Sequence, residues 1–115
     1  MNLSEAAKSH QAWRSTLTSY LVNPNQSLDP ADLASGTKCA LGQWLIARSH
    51  KYSARPDFSR VLAEHARFHR AAADLVRRAD SGQSVVDEIA PGANSEFVNA
   101  SSALVEALLA MGDLA

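Results

Sequence analysis

A chain of 115 residues that is 46% hydrophobic and 20% charged has the size of one domain and enough apolar side chains for a core, which argues against an intrinsically disordered chain. Its formal net charge of −1 argues against nucleic acid as a partner, and no apolar run approaches the ~18 residues of a membrane span. The single cysteine excludes an internal disulfide and leaves its thiol for metal or redox chemistry. Residues 1–115 are therefore read as one domain, without a charged, apolar and small-residue leader, and a cytoplasmic location is expected. Charge is placed unevenly. All 11 Lys and Arg lie at or before Arg78 with 6 of the 12 acids, a balance of +5, and the remaining 6 acids follow without a base, a balance of −6. The acidic last third is expected to complement the basic faces of earlier helices, within the chain or across a dimer.

Asn2 followed by Glu5 predicts a helix start close to a capping box. Leu3, His10 and Leu17 then recur every seventh residue, as do Ala6, Trp13 and Tyr20, which defines one inward stripe with His10 at its middle. An inward histidine is costly unless its nitrogens find partners, and a hydrogen-bonded core histidine satisfies that as well as a metal ligand does. Asn23-Pro24-Asn25 ends the helix. Asp29-Pro30-Ala31-Asp32 has the form of the cap and first turn of a short helical segment.

Ser35-Gly36-Thr37 breaks the chain again, and Thr37 is expected to cap a second long helix running to about Ser49. Cys39, Leu41, Leu45 and Ile46 are its expected inward residues, with Trp44 at an edge. Gly42 inside it costs about 1 kcal/mol relative to Ala, so close approach of a neighbouring helix beside Cys39 is expected there. By itself Cys39 reads as a small buried hydrophobe. His50 to Arg55 forms a connector, with His50 structural or incidental at a helix end. The third long helix spans about Pro56 to Asp80, with Phe58, Val61, Leu62, His65, Phe68, His69, Ala72, Leu75, Val76 and Ala79 at helical spacing. Arg77-Arg78 and Gly82 close it.

Val85, Val86 and Ile89 could form one helical turn before Pro91-Gly92. Asn94 or Ser95 then caps a last helix with Phe97, Ala100, Ser101, Leu104, Leu108 and Met111 on one side. Val98, Val105 and Leu109 make a second apolar row, so this helix is expected to be central or partly covered by a second subunit. The expected architecture is all-α, a four-helix bundle with short additional helical segments.

His65 and His69 lie four residues apart, one turn above the other on one helical face, a spacing that lets two imidazoles converge on one metal ion. Taken alone, the pair is equally compatible with two packed histidines. Together with His10 and Cys39, however, it makes four inward polar side chains on three helices. Four such groups are expensive separately in a small core and inexpensive around one cation. Three neutral imidazoles and a thiolate suit Zn²⁺, which makes no redox demand. The carboxylates of a di-iron bundle are not on these faces, since Glu64 points about 100° away from its neighbour His65.

The blocks His10-Gln-Ala-Trp13, Cys39-Ala-Leu-Gly42-Gln-Trp44 and His65-Ala-Arg-Phe68-His69 together resemble the signature of the chemoreceptor zinc-binding domain (CZB) family. That pattern is a His followed by an aromatic residue, a Cys-x-hydrophobic-Gly-x-aromatic block and a His-x₃-His, separated by roughly 20 to 30 residues. The resemblance runs from about Leu3 to Leu75, and the last helix matches only in type. It implies a bacterial, cytoplasmic, zinc-binding sensory domain, often dimeric, at the end of a chemoreceptor or beside a diguanylate cyclase. In such domains zinc occupancy, or oxidation of the zinc-bound cysteine by hypochlorous acid, alters chemotaxis or cyclic-di-GMP output. Carried over by position, His10, Cys39, His65 and His69 are the zinc ligands, and Trp13, Gly42, Trp44 and Phe68 are the structural signature around them. The chain has no signalling coiled coil and no cyclase domain, so either it acts on a separate signalling protein or the family's output is absent. The alternative is a zinc-stabilised interaction or dimerisation module without a sensing role. An enzyme is not expected, because four protein ligands leave no open position for a zinc-bound water.

Overall fold

The computed structural model describes residues 3–25, 27–37, 39–90 and 92–111. Proline and short polar caps set the helix starts. Asp29 is extended and its carboxylate accepts the Ala31 N–H, with Pro30 at the first helical position, so α2 (Pro30–Ser35) begins where expected. Pro56 likewise opens α4 (Pro56–Asp80), and the Arg55 guanidinium clasps Asp57 as a bidentate pair while Asp57 accepts the Phe58 N–H. Ser95 Oγ accepts the Val98 N–H, which selects Ser95 rather than Asn94 as the cap of α5 (Glu96–Met111). The first helix, α1, spans Leu3–Val22. The capping role expected of Asn2 and the stop expected of Pro91 lie outside the described residues.

The third helix, α3 (Ala40–Tyr52), departs from expectation at both ends. Its N-cap is Cys39, whose sulfur accepts the Gly42 N–H at 3.3 Å, and not Thr37. Thr37 is instead held in the preceding turn, where its N–H donates to Ser35 Oγ and its carbonyl accepts from the Gln43 side chain. A thiol is an unusual cap, and no cap preference would have selected it over a threonine two residues upstream. At the other end α3 runs past Ser49 to Tyr52, where the Tyr52 ring packs with Trp44 and Phe58.

The architecture is the expected all-α bundle, with four long helices and no strand among the described residues. A 3-10 turn at Val86–Glu88 sits between α4 and α5, matching the turn expected around Val85 to Ile89. The amphipathic α4 is the spine, with α1, α2, α3 and α5 all packed against it. Phe58, Val61, Phe68, Leu75 and Val76 from its inner face meet Leu17, Leu45, Phe97, Leu104 and Leu108 in one continuous core. Two expected core positions are corrected. Ile46 and Leu62 are 56% and 40% exposed, because each lies at the edge of a helical stripe wider than the facing helix covers, and Leu109 of the second row on α5 is 57% exposed. Val98 and Val105, the rest of the second row on α5, are partly buried.

The acidic last third answers the basic α4 within the chain. Arg67 pairs with Glu96, Arg78 with Glu88 and Arg60 with Glu106. The Arg78–Glu88 pair is bidentate at 2.7 Å for each bond, and it depresses the Glu88 carboxyl below the ordinary range while raising the guanidinium. Arg14 of α1 donates to the carbonyls of Ile89 and Ala90 and so anchors the 3-10 turn to α1.

Truncating Phe58, which is fully buried, to Ala is expected to lower stability by about 3–5 kcal/mol, whereas Ile46→Ala changes it by less than about 0.5 kcal/mol. Urea denaturation of the two variants beside the parent measures the contrast, and equal losses would contradict the placement of α3.

Candidate metal centre

Two helix faces and the start of a third helix meet at a single point in the core. α1 contributes His10 from the middle of its inward stripe, and α4 contributes His65 and His69 from successive turns. Cys39 arrives from the start of α3. The side-chain donor atoms of these four residues all lie within 4.8 Å of one another. All four expected site residues are thus brought together, and no carboxylate joins them among the described residues. Glu64 is turned away and paired with Arg67 at 3.3 Å.

Burial governs the chemistry of the three rings. His10, His65 and His69 are each about 5% exposed or less. Desolvation of the charged form lowers all three pKa values. His65 falls furthest, to about 3, because repulsion from His69 and His10 adds to its burial. For His10 and His69 the downward shift is partly offset by hydrogen bonds to the Ala6 and Leu33 carbonyls. At neutral pH the rings are therefore uncharged, the form in which an imidazole offers a lone pair to a metal.

The same two carbonyls decide which nitrogen carries that lone pair. His10 Nδ1 lies 2.8 Å from the Ala6 carbonyl and His69 Nδ1 lies 2.9 Å from the Leu33 carbonyl. A carbonyl only accepts, so each Nδ1 carries the proton and each Nε2 is left with a free pair facing the centre. His69 Nε2 is 3.7 Å from the Cys39 sulfur and His65 Nε2 is 3.2 Å from it. His10 Nε2 is buried and has no hydrogen-bond partner among the described residues. Such an orphaned acceptor is costly to bury, and a cation at the centre would relieve it.

The donor set fits zinc. Bonds of about 2.3 Å to sulfur and about 2.0 Å to nitrogen in a tetrahedron imply a sulfur–nitrogen edge of about 3.5 Å, which the two measured separations bracket. Phe68 and Phe97 shield the cluster on the α5 side, with His10 and His69 both edge-on to the Phe68 ring.

Gly42 is required by backbone contact. A Cβ on it would lie 2.0 Å from the Gly36 carbonyl oxygen and 3.1 Å from the Thr37 Cα, so the approaching element is the turn after α2 and not a neighbouring helix. Gly36, at φ +64°, passes against the rings of His65 and His69. The sequence therefore marked the close approach correctly and its partner incorrectly. The carbonyls of Ala6 and Leu33 carried no side-chain signal at all.

The fold and this cluster define a helical-bundle metal-binding domain. The model of the chemoreceptor zinc-binding domain family matches residues 10–76, more than half of the chain and a span containing all four cluster residues, and the chain belongs to that family. Comparison with curated proteins and with solved structures gave no significant match. No helix among the described residues is long and apolar enough to cross a membrane.

Two measurements probe the centre. Gly42→Ala must displace backbone, and it is expected to weaken zinc binding at least about tenfold, read by competition with a chromophoric chelator, as displacement of an oriented ligand does. Stability of the metal-free chain is expected to fall as pH drops from 6.5 towards 3. The folded pKa values lie below the unfolded one, so the unfolded chain takes up protons that the folded chain refuses. Urea midpoints at stepped pH should show that slope, and His65→Gln should flatten it; an unchanged slope in the variant would refute the assignment.

Proposed function

We propose that this chain is a zinc-binding sensory or regulatory domain in which His10, Cys39, His65 and His69 hold one Zn²⁺. The observation that carries the reading is the convergence of three imidazole nitrogens and one sulfur within 4.8 Å, one of the nitrogens buried with no other partner among the described residues. Bound zinc would hold Cys39 as a thiolate and tie α1, α3 and α4 together at one point. The family's name supports association with a chemoreceptor. Zinc occupancy, or oxidation of Cys39, changes the signal passed to a separate partner of chemoreceptor or diguanylate cyclase type, in the cytoplasm of a bacterium, from a homodimer without catalytic activity of its own.

Hypochlorous acid is the oxidant proposed. The thiolate sulfur loses two electrons, its S–O bond forms, and the reagent's chlorine leaves as chloride, which yields a sulfenic acid. That product is a weaker donor than the thiolate, so α3 loses its tie to the imidazoles of α1 and α4. The bundle thereby acquires the two-state element that a switch requires.

Zinc titration with competing chelator is expected to give one equivalent bound by the parent and affinity reduced about 10–100-fold or more in Cys39→Ser, with the variant insensitive to oxidant. Equal affinity and equal oxidant response in Cys39→Ser would sink the cysteine switch. Circular dichroism with and without chelator separates sensing from a structural role. Retained helicity after zinc removal supports a switch, and loss of the fold supports a zinc-stabilised interaction module.

A further inference from the structure

The sulfur of the cluster is delivered by a turn, and a turn needs its own fastening. Gln43, in the first turn of α3 and outside the donor set, grips the chain on both sides of the thiol. Its backbone N–H makes the first helical bond of α3, to the Cys39 carbonyl at 3.0 Å, and its side-chain amide donates to the Thr37 carbonyl. Ser35 Oγ accepts the Thr37 N–H at 3.2 Å and holds the same segment from the α2 side. The Gly36 carbonyl rests against Gly42, whose own N–H donates to the sulfur at 3.3 Å.

We propose that Gln43 is a positioning residue for the zinc site: its side chain closes the turn between Thr37 and α3 and so fixes where the Cys39 sulfur stands. The assignment rests on the reading of Cys39 as a zinc ligand and adds the residue that sets that ligand's place. The imidazoles of α4 have other supports, since both are carried within a long helix and His69 is oriented by the Leu33 carbonyl. Cys39 precedes the helical residues of α3 and is only partly buried, with its sulfur 3.2 and 3.7 Å from two nitrogens. Metal–ligand distances tolerate about 0.2 Å, so a turn free to drift further loses the sulfur and keeps the histidines. Gln43 is itself exposed and is not one of the four donors, so its effect runs through the Thr37 carbonyl.

Gln43→Met tests this, because methionine matches glutamine in length and helix preference and has no N–H to donate. Tyr20→Phe is the control, removing a hydrogen bond to Asp80 at the far end of α4. Chelator competition is expected to show zinc affinity lowered about fivefold in Gln43→Met, the scale of one neutral hydrogen bond, and unchanged in Tyr20→Phe. In the metal-free chain, iodoacetamide is expected to alkylate Cys39, the sole thiol, about fivefold faster in Gln43→Met, as the sulfur leaves the imidazoles and the Gly42 N–H. Tyr20→Phe should keep the parent rate. Parent-like zinc affinity in Gln43→Met, equal losses in the two variants, or an unaltered alkylation rate each overturn the assignment. The alkylation contrast needs no metal, so a parent chain that bound no zinc would refute the zinc reading and leave the clasp of Gln43 to be decided by that contrast.

Discussion

Three histidines sit in the apolar core of a small bundle, and the described residues do not satisfy all of their nitrogens. That constraint organises the molecule. Burial disfavours the charged form of each ring, backbone carbonyls claim the Nδ1 protons of His10 and His69, and His10 Nε2 has no partner among the described residues. A core that merely packed would replace such residues with leucine at lower cost. Their presence makes chemical sense around a cation, for which uncharged imidazoles and a sulfur donor are the required form.

The elements around the cluster follow from the need to deliver four donors to one point. α4 presents two rings a turn apart, and its opposite face carries the arginines that collect Glu88, Glu96 and Glu106. Those pairs are largely solvent-exposed and individually worth little, so they orient the acidic segment more than they stabilise it. The turn from α2 into α3 has the stricter task. It places the Leu33 carbonyl on His69, passes Gly36 against two imidazoles, and ends in Cys39 as the cap of α3. Gly42 allows it to lie there.

The cysteine differs from the histidines in setting as well as chemistry. It lies beside a cavity, caps a helix, and follows α2, whose Leu33 packs against the core only partly buried.

The helical class, the α4 boundaries from Pro56 to Asp80, the inward placement of His10, His65 and His69, and the family blocks were all legible in the sequence, because helical periodicity and proline are local signals. The three histidines of the donor quartet were legible for the same reason, whereas Cys39 reaches the cluster as the cap of α3 and not from an inward helix face. Only the tertiary structure decided that Cys39, and not Thr37, caps α3, that a turn and not a helix presses on Gly42, and that Ile46, Leu62 and Leu109 remain at the surface. Those outcomes depend on which neighbour arrives, and a periodicity cannot name its neighbour. The carbonyls of Ala6 and Leu33 show the limit most plainly. Every residue has a carbonyl, so only the folded chain could decide which ones orient the histidines.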